Sequence, residues 1–159
     1  MKLDLHVHTN YSACAITKPF ILNKLIKKTG VNVALTDHNT MKAVDKVKGC
    51  IPGEEISTTE GHVIGLFLNE RVKPWMSASE TADKIKEQGG VVFVPHPYDS
   101  IRKKVKHMDF KKDVVEVFNA RVVLKKDNAK ALEYAEKNSV LQGVGSDCHT
   151  PYEVGKNYL

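Results

Sequence analysis

Residues 3–9, Leu-Asp-Leu-His-Val-His-Thr, decide which fold and which chemistry this chain can support. Apolar and polar side chains alternate along the stretch, which is the period of a half-buried β-strand. Because side chains two apart on a strand share a face, we expect Asp4, His6 and His8 to point the same way. The apolar residues take the opposite face: Leu3, Leu5 and Val7. Two imidazoles at one strand end form half of a metal site, although an exposed edge strand with incidental histidines fits the same pattern.

Length and composition indicate a globular protein. The chain has 159 residues, so we expect a single domain over residues 1–159. Its 42% hydrophobic and 27% charged content is ordinary for a soluble globular protein. No apolar run approaches the ~20 residues of a membrane span, and the opening strand is unlike a signal peptide. We therefore expect a cytoplasmic protein with no membrane partner. Its three cysteines lack C-x-x-C spacing, so we expect them to be reduced thiols: Cys14, Cys50 and Cys148.

The charge balance is basic, with a formal net charge of +5 and a pI near 9.0. This favours anionic partners only weakly, because much of the excess lies in short clusters typical of solvated helix faces, such as Lys27-Lys28 and Arg102-Lys103-Lys104. Aromatic residues interleaved on a basic strand, the usual sign of a nucleic-acid surface, are missing from the sequence.

Strand and helix patterns alternate along the chain. Strands are predicted at residues 3–9, 31–36, 51–58, 62–68, 91–94, 114–118 and 140–145. Helices are predicted at residues 17–28 (with Thr17 as the cap), 39–48, 77–89, 100–110 and 126–138. This alternation predicts a parallel sheet. An open flavodoxin-like sheet fits the same order, but a closed barrel brings distant strand ends around one point, so we predict a distorted (β/α)7 barrel.

Histidines collect where the predicted strands begin or end. Six of the seven lie there: His6, His8, His38, His62, His96 and His149. Asp147 repeats with His149 the spacing of the first pair, and Glu55 adds a carboxylate on the strand face opposite to Glu54. One buried histidine is usually a core residue, but this set predicts a metal site of zinc, manganese or iron. It exceeds the needs of one tetrahedral ion, so we expect two or three. His107 lies in a Lys-rich segment and is expected on the surface.

Seven stretches together resemble one family across nearly the whole chain. They read DLHVHTNYS (4–12), ALTDHNT (34–40), PGEEIST (52–58), GHVIGLF (61–67), VPHP (94–97), VEVFNAR (115–121) and GSDCHT (145–150). The chain resembles the PHP (polymerase and histidinol phosphatase) family of metal-dependent phosphoesterases. The resemblance implies a distorted seven-stranded barrel with a metal cluster at the C-terminal ends of its strands.

The resemblance also implies a division of the ligands. One ion would be held by His6, His8, Glu55 and Asp147, and a second by Glu55, His62 and His96, with Glu55 bridging. A third would use His38 and His149 with a residue shortly after the first histidine pair. Many members read Ser-Asp-Gly where this chain has Ser12-Ala13-Cys14, so the third ion is either completed by water, substrate oxygens or Cys14, or absent.

Further expectations concern residues around the ligands. Asp4 and Asp37 are predicted to orient ligand imidazoles as hydrogen-bond acceptors. Relatives typically continue past the stretch that ends at Leu159, so we expect a minimal member or a shortened chain.

The expected activity is hydrolysis of a phosphate monoester, nucleotide or oligonucleotide by metal-activated water. Asp147 or His149 would accept the proton, and Arg102 and Arg121 would bind the phosphate unless they are solvated surface residues. The alternatives are a hydrolase of the amidohydrolase type and a non-catalytic domain that binds metal or a separate partner chain.

Overall fold

The computed structural model describes residues 2–102, 104–105 and 107–159, which form a seven-stranded sheet curled into a nearly closed barrel. The strands lie side by side in chain order: β1 (Lys2–Val7), β2 (Val31–Leu35), β3 (Ile51–Ser57), β4 (His62–Leu66), β5 (Val91–Val94), β6 (Val114–Asn119) and β7 (Leu141–Gly145). Three helices accompany them: α1 (Pro19–Thr29), α2 (Ala78–Glu87) and α3 (Lys125–Lys137). The predicted α/β barrel fold is confirmed.

The barrel closes where the first strand meets the last. Val7 and Cys148 form a parallel bridge just beyond the paired ladders. The His8 N–H donates to the Cys148 carbonyl at 3.1 Å, and the Asp147 N–H donates to the His6 carbonyl at 2.8 Å. This closure places the two histidine-bearing ends of the chain next to each other.

The sheet is not fully parallel, contrary to the prediction. β4 runs antiparallel to both β3 and β5, whereas the remaining ladders are parallel. The reason is the tight turn between β3 and β4, in which the Thr58 N–H donates a hydrogen bond to the Gly61 carbonyl at 2.7 Å. A parallel crossover needs a dozen or more residues, and the connection between β3 and β4 is too short for one, so the two strands form a hairpin. The first residue of β4, His62, therefore pairs with Ser57 at the end of β3.

The helix predicted at residues 39–48 is wrong, since only a single 3₁₀ turn, Val44–Lys46, forms there. Asn39 does not cap a helix. Its side chain instead accepts from the Ser57 N–H at 2.8 Å and donates to the Ser57 hydroxyl at 2.9 Å. Its φ of 52° is also left-handed, which is incompatible with a right-handed helix start.

The helix predicted at residues 100–110 does not form in the part of this segment that the structure describes, 100–102, 104–105 and 107–110. Asp99 holds its beginning instead, because its carboxylate accepts from the N–H groups of Ile101 at 2.8 Å and Arg102 at 3.2 Å. The predicted cap of α1 is also wrong. Lys18 is the N-cap, and no side-chain hydrogen bond caps this end.

The other helix ends follow their sequence signals. Gly30 ends α1 with a φ of 69°, and Ser77 and Glu80 form a reciprocal capping box at the start of α2. None of the helices in the residues that the structure describes is long and apolar enough to span a membrane.

A β-bulge divides the apolar face expected for β1. The register of the β1–β2 ladder shifts between Asp4 and Val7. Val7 packs in a cluster with Leu22 of α1, outside the sheet. Leu5 packs with Phe93, which lies on a strand that is not its neighbour, so this contact crosses the barrel interior. The prediction that both residues share one face is therefore wrong, because the bulge changes which way the strand points.

Candidate metal centre

A buried group of four polar atoms lies where β1, β3 and β7 converge. Nε2 of His6 is 3.1 Å from Nε2 of His8, and these atoms lie 3.3 and 3.2 Å from Oε2 of Glu55. Oδ1 of Asp147 is 3.6 and 3.3 Å from the same two nitrogens. Four donors around one ion at 2.0–2.1 Å would stand about 3.3 Å from one another, so the separations fit a metal ion.

The second oxygen of Glu55 faces a different pair of imidazoles. Oε1 lies 3.0 Å from Nδ1 of His62 and 3.4 Å from Nε2 of His96. The structure therefore brings together the residues of the second predicted set. His38 also approaches Glu55, with its Nδ1 3.3 Å from Oε2, which the predicted division did not include.

A third group of three histidines lies beside the first. Ring nitrogens of His8, His38 and His149 lie close enough together to hold one ion. The His8 ring centroid is 4.8 Å from that of His38 and 4.6 Å from that of His149. Cys14, rather than Ala13, is the neighbouring side chain that lines the cavity.

Glu116 of β6 holds His6 in place, and the sequence analysis assigned it no role. Its Oε1 lies 3.1 Å from Nδ1 of His6, and its Oε2 accepts from the His96 N–H at 2.6 Å. Asn119 donates to that second oxygen at 2.9 Å and to Asp147 Oδ2 at 3.2 Å. An ionised carboxylate only accepts, so Nδ1 of His6 carries a hydrogen, and in the neutral ring Nε2 has the lone pair that a metal ion binds. The sequence contains one signal for this role, since Glu116 is a single charged residue among the valines of β6.

The predicted roles of Asp4 and Asp37 are wrong in detail. Neither carboxylate contacts an imidazole among the residues that the structure describes. Asp4 Oδ1 accepts the backbone N–H groups of His6 at 3.2 Å and Ser146 at 2.9 Å. Asp37 reaches His8 only through Ser12, whose hydroxyl donates to Asp37 at 2.7 Å and lies 3.2 Å from Nδ1 of His8.

The two arginines predicted to bind substrate differ in position. Arg102 lines the cavity at the cluster, and its guanidinium contacts Asp147 while its Nε donates to Asp99 at 2.6 Å. Arg121 is directed towards Glu153, to which its Nη1 donates at 2.7 Å. His107 is exposed, as predicted.

The charges of the cluster are interdependent. Burial raises the pKa of Glu55, but the surrounding histidines, His6 foremost, outweigh it and hold the pKa well below the usual range. Burial opposes a charge on His6, yet the carboxylates of Asp147, Glu116 and Glu55 raise its pKa well above the ordinary value. Burial lowers the pKa of His38 to about 4, with Glu55 opposing the shift. His38 is thus neutral at physiological pH, which is the state that binds a metal ion.

Three residues of this edge have left-handed backbone conformations. The φ angles are 30° for His96, 52° for Asp147 and 52° for Asn39, which follows His38. Such conformations are strained for residues other than glycine and concentrate at functional sites. His96 and Asp147 both line a cavity of about 240 Å³ at this edge. The side chain of Asn39 turns to Ser57 instead, and the residue before it, His38, lines the cavity.

Comparison with known proteins gives the family. Residues 125–159 match the model of the PHP-associated family PHP_C. The fold agrees over nearly the whole chain with that of a proposed metal-dependent phosphoesterase from Bifidobacterium adolescentis (TM-score 0.77, 16% identity, 99% of this chain and 90% of that one).

The chain belongs to the PHP family.

Two relatives share more of the sequence. The uncharacterized protein MJ0417 of Methanocaldococcus jannaschii is 40% identical over all of this chain and 70% of its own length. The uncharacterized protein MJ1587 of the same organism is 44% identical over 76% of this chain and 82% of its own length.

Two further solved structures share the fold. One is an amidohydrolase from Chromobacterium violaceum with bound sulfate and no metal (TM-score 0.76, 16% identity, 100% of this chain and 91% of that one). The other is a lesion-specific endonuclease from Pyrococcus furiosus (TM-score 0.66, 19% identity, 94% of this chain and 48% of that one).

Proposed function

We propose that this PHP chain is a metal-dependent phosphoesterase that uses water activated at the cluster around Glu55. The observation that carries the proposal is the position of that single buried carboxylate. One of its oxygens faces His6 and His8, and the other faces His62 and His96. A carboxylate placed in this way would hold one ion at each of its oxygens. Two divalent ions at such a site lower the pKa of a water molecule, polarise phosphoryl oxygens and support the leaving group.

The proposed ligands follow the donor groups. The first ion would be held by His6, His8, Glu55 and Asp147, and the second by Glu55, His62 and His96. A third would be held by His38 and His149, beside His8. Imidazole and carboxylate donors suit zinc, manganese or iron.

His149 and Asp147 are assigned different parts in proton transfer. Nδ1 of His149 lies 2.7 Å from the Asp147 backbone carbonyl, which only accepts, so Nε2 carries the free lone pair. Burial lowers the pKa of His149, and His8 lowers it further, so the ring can accept a proton at neutral pH. Burial raises the pKa of Asp147, but His6 and His8 hold it well below the usual range. Asp147 therefore remains a ligand, and His149 is the proposed proton acceptor when its Nε2 does not hold a third ion.

Arg102 is the proposed contact for the phosphoryl group. Its half-buried guanidinium is held over the cavity between Asp99 and Asp147. Three of its five N–H groups already donate to Asp99, Asp147 and Asn119, and the two that remain on the terminal nitrogens would donate to phosphate oxygens. Arg121, paired with Glu153, is a secondary candidate at the rim.

An amidohydrolase is the second candidate, favoured by the C. violaceum neighbour. A panel of metal-loaded reactions separates the two. Phosphate monoesters, short oligonucleotides and acyl amides are supplied with zinc, manganese or iron(II), and released phosphate, strand length and amine are measured. Phosphoester cleavage that a chelator abolishes and added metal restores is the expected result. Turnover of the amides alone would overturn the proposal.

A further inference from the structure

Two more cavities open beside the metal cavity, on different sides of it. One has a volume of about 660 Å³ and shares His38, which follows β2. The other has a volume of about 330 Å³ and shares Arg102, which follows β5. Since β3 and β4 lie between these strands in the barrel, a substrate at the cluster has room to extend in two directions.

The cavity beside His38 combines one aromatic side chain with two cations. Tyr11 is 38% exposed, and Lys42 and Arg71 line the cavity together with it and with the candidate ligand His38. Nε of Arg71 donates at 3.3 Å to Glu54, a fully buried carboxylate that also accepts the Val72 N–H at 2.9 Å. The buried Glu54 therefore fixes an arginine at the wall of this cavity, which reduces the entropy lost when an anion binds.

The cavity beside Arg102 also combines an aromatic side chain with two cations, and the carboxylate of Glu60 lines it as well. Trp75 is 63% exposed and has a left-handed φ of 68°, and Lys104 completes the wall. A hydrogen bond from the backbone N–H of Trp75 to the Ser57 carbonyl, 2.7 Å long, stabilises this conformation. An exposed indole forgoes the burial that normally stabilises tryptophan, and its backbone is strained as well. The fold thus holds a flat apolar surface in solvent beside two positive charges.

We propose that the substrate is a phosphodiester with a ring-bearing group on each side of the scissile phosphate, namely a short single-stranded oligonucleotide. This inference rests on the proposed phosphoesterase function. An aromatic surface beside cations is how proteins bind unpaired bases and their phosphates. A monoester has one substituent and would leave one cavity unused. Hydrolysis adds one water: its oxygen bonds to phosphorus as the ester P–O bond breaks, and a proton passes to the leaving oxygen.

Trp75 supplies a direct binding signal, because it is the single tryptophan of the chain. The metal-loaded protein is titrated with a phosphorothioate-linked tetradeoxyadenylate while indole fluorescence is followed. We expect saturable quenching, weakened about tenfold by Tyr11→Ala through loss of one stacking contact. Tyr152→Ala, which removes an 82% exposed aromatic that lines neither cavity, should leave the Kd unchanged.

Steady-state kinetics provide a second test of the proposed substrate. With unmodified tetradeoxyadenylate, Tyr11→Ala and Trp75→Ala should each raise KM about tenfold. Trp75→Phe should restore it, and hydrolysis of glycerol 2-phosphate should be unaffected by all three changes. Absence of quenching, equal effects on both substrates, or cleavage of glycerol 2-phosphate alone overturns the inference and leaves the phosphoesterase proposal standing. Failure to cleave either substrate overturns both.

Discussion

Oε1 of Glu116 lies 3.1 Å from Nδ1 of His6, and both side chains are fully buried. The contact turns the other ring nitrogen of His6 towards Glu55 and Asp147. Glu116 comes from β6 and His6 from β1, so the pair joins strands that are not neighbours in the sheet. The strand between them leaves room for the contact at Gly145, where a Cβ atom would collide with the Glu116 carboxylate and with His6.

Glu116→Gln should weaken metal binding by about 10- to 100-fold, because a carboxylate partner fixes the ring and raises its basicity. Isothermal titration of the chelator-treated protein with zinc measures the affinity. Circular dichroism melting shows whether the fold survives. An affinity equal to that of the unchanged protein would show that Glu116 does not orient a ligand.

Glu55→Gln and Glu54→Gln form a matched pair on adjacent positions of β3. Glu55 faces the imidazoles, whereas Glu54 accepts from Arg71 and Val72. We expect Glu55→Gln to lower activity by several orders of magnitude and to reduce bound metal. Glu54→Gln should keep the metal and reduce unfolding free energy by about 1–3 kcal/mol through the buried pair that it weakens. Metal analysis and urea denaturation test both, and equal tolerance of the two changes would contradict the assignment of Glu55.

Cys14→Asp should strengthen a third metal site more than Ala13→Asp. Cys14 lines the cavity beside His38 and His149, whereas Ala13 is exposed and does not line it. A carboxylate at position 14 adds an anionic oxygen to a site that otherwise has imidazoles alone, and this favours divalent ions. Metal titrations of both variants, with and without inorganic phosphate, count the ions. Greater occupancy in Ala13→Asp would show that the loop turns the other way.

Asp4→Asn should make stability less dependent on pH. Burial raises the pKa of Asp4 to about 6, although the N–H of Ser146 opposes the shift. A raised pKa in the folded state means that the protonated form is favoured. The stabilisation from this shift is complete below pH 3.8, the pKa of Asp4 in the unfolded chain. It is lost as the pH rises through about 6, the pKa of Asp4 in the folded protein.

The free energy of unfolding of Asp4→Asn should therefore rise, relative to that of the unchanged protein, by up to about 3 kcal/mol between pH 4 and pH 7.5. Urea denaturation of both chelator-treated proteins at the two pH values measures the change in their difference. A difference that stays constant would show that Asp4 titrates normally.

Local sequence was sufficient for several elements because their causes are local. The alternation at residues 3–9 predicts β1 and places His6 and His8 together. Gly30 ends α1 in a left-handed conformation, and Ser77 with Glu80 begins α2. At both helix ends the hydrogen bonds and the backbone conformation involve residues only a few positions apart.

The sequence by itself determined the barrel class, the candidate donors and the separation of Glu55 from Glu54 on opposite strand faces. Only the tertiary structure decided the direction of β4, the left-handed turn at Asn39 and the place of Glu116 behind His6. Asn39 is a good helix cap by type, but its side chain hydrogen-bonds Ser57 on β3 instead. The physical reason is common to all three: periodicity reports which way a side chain points, whereas its partner is set by barrel closure, which joins residues far apart in the chain.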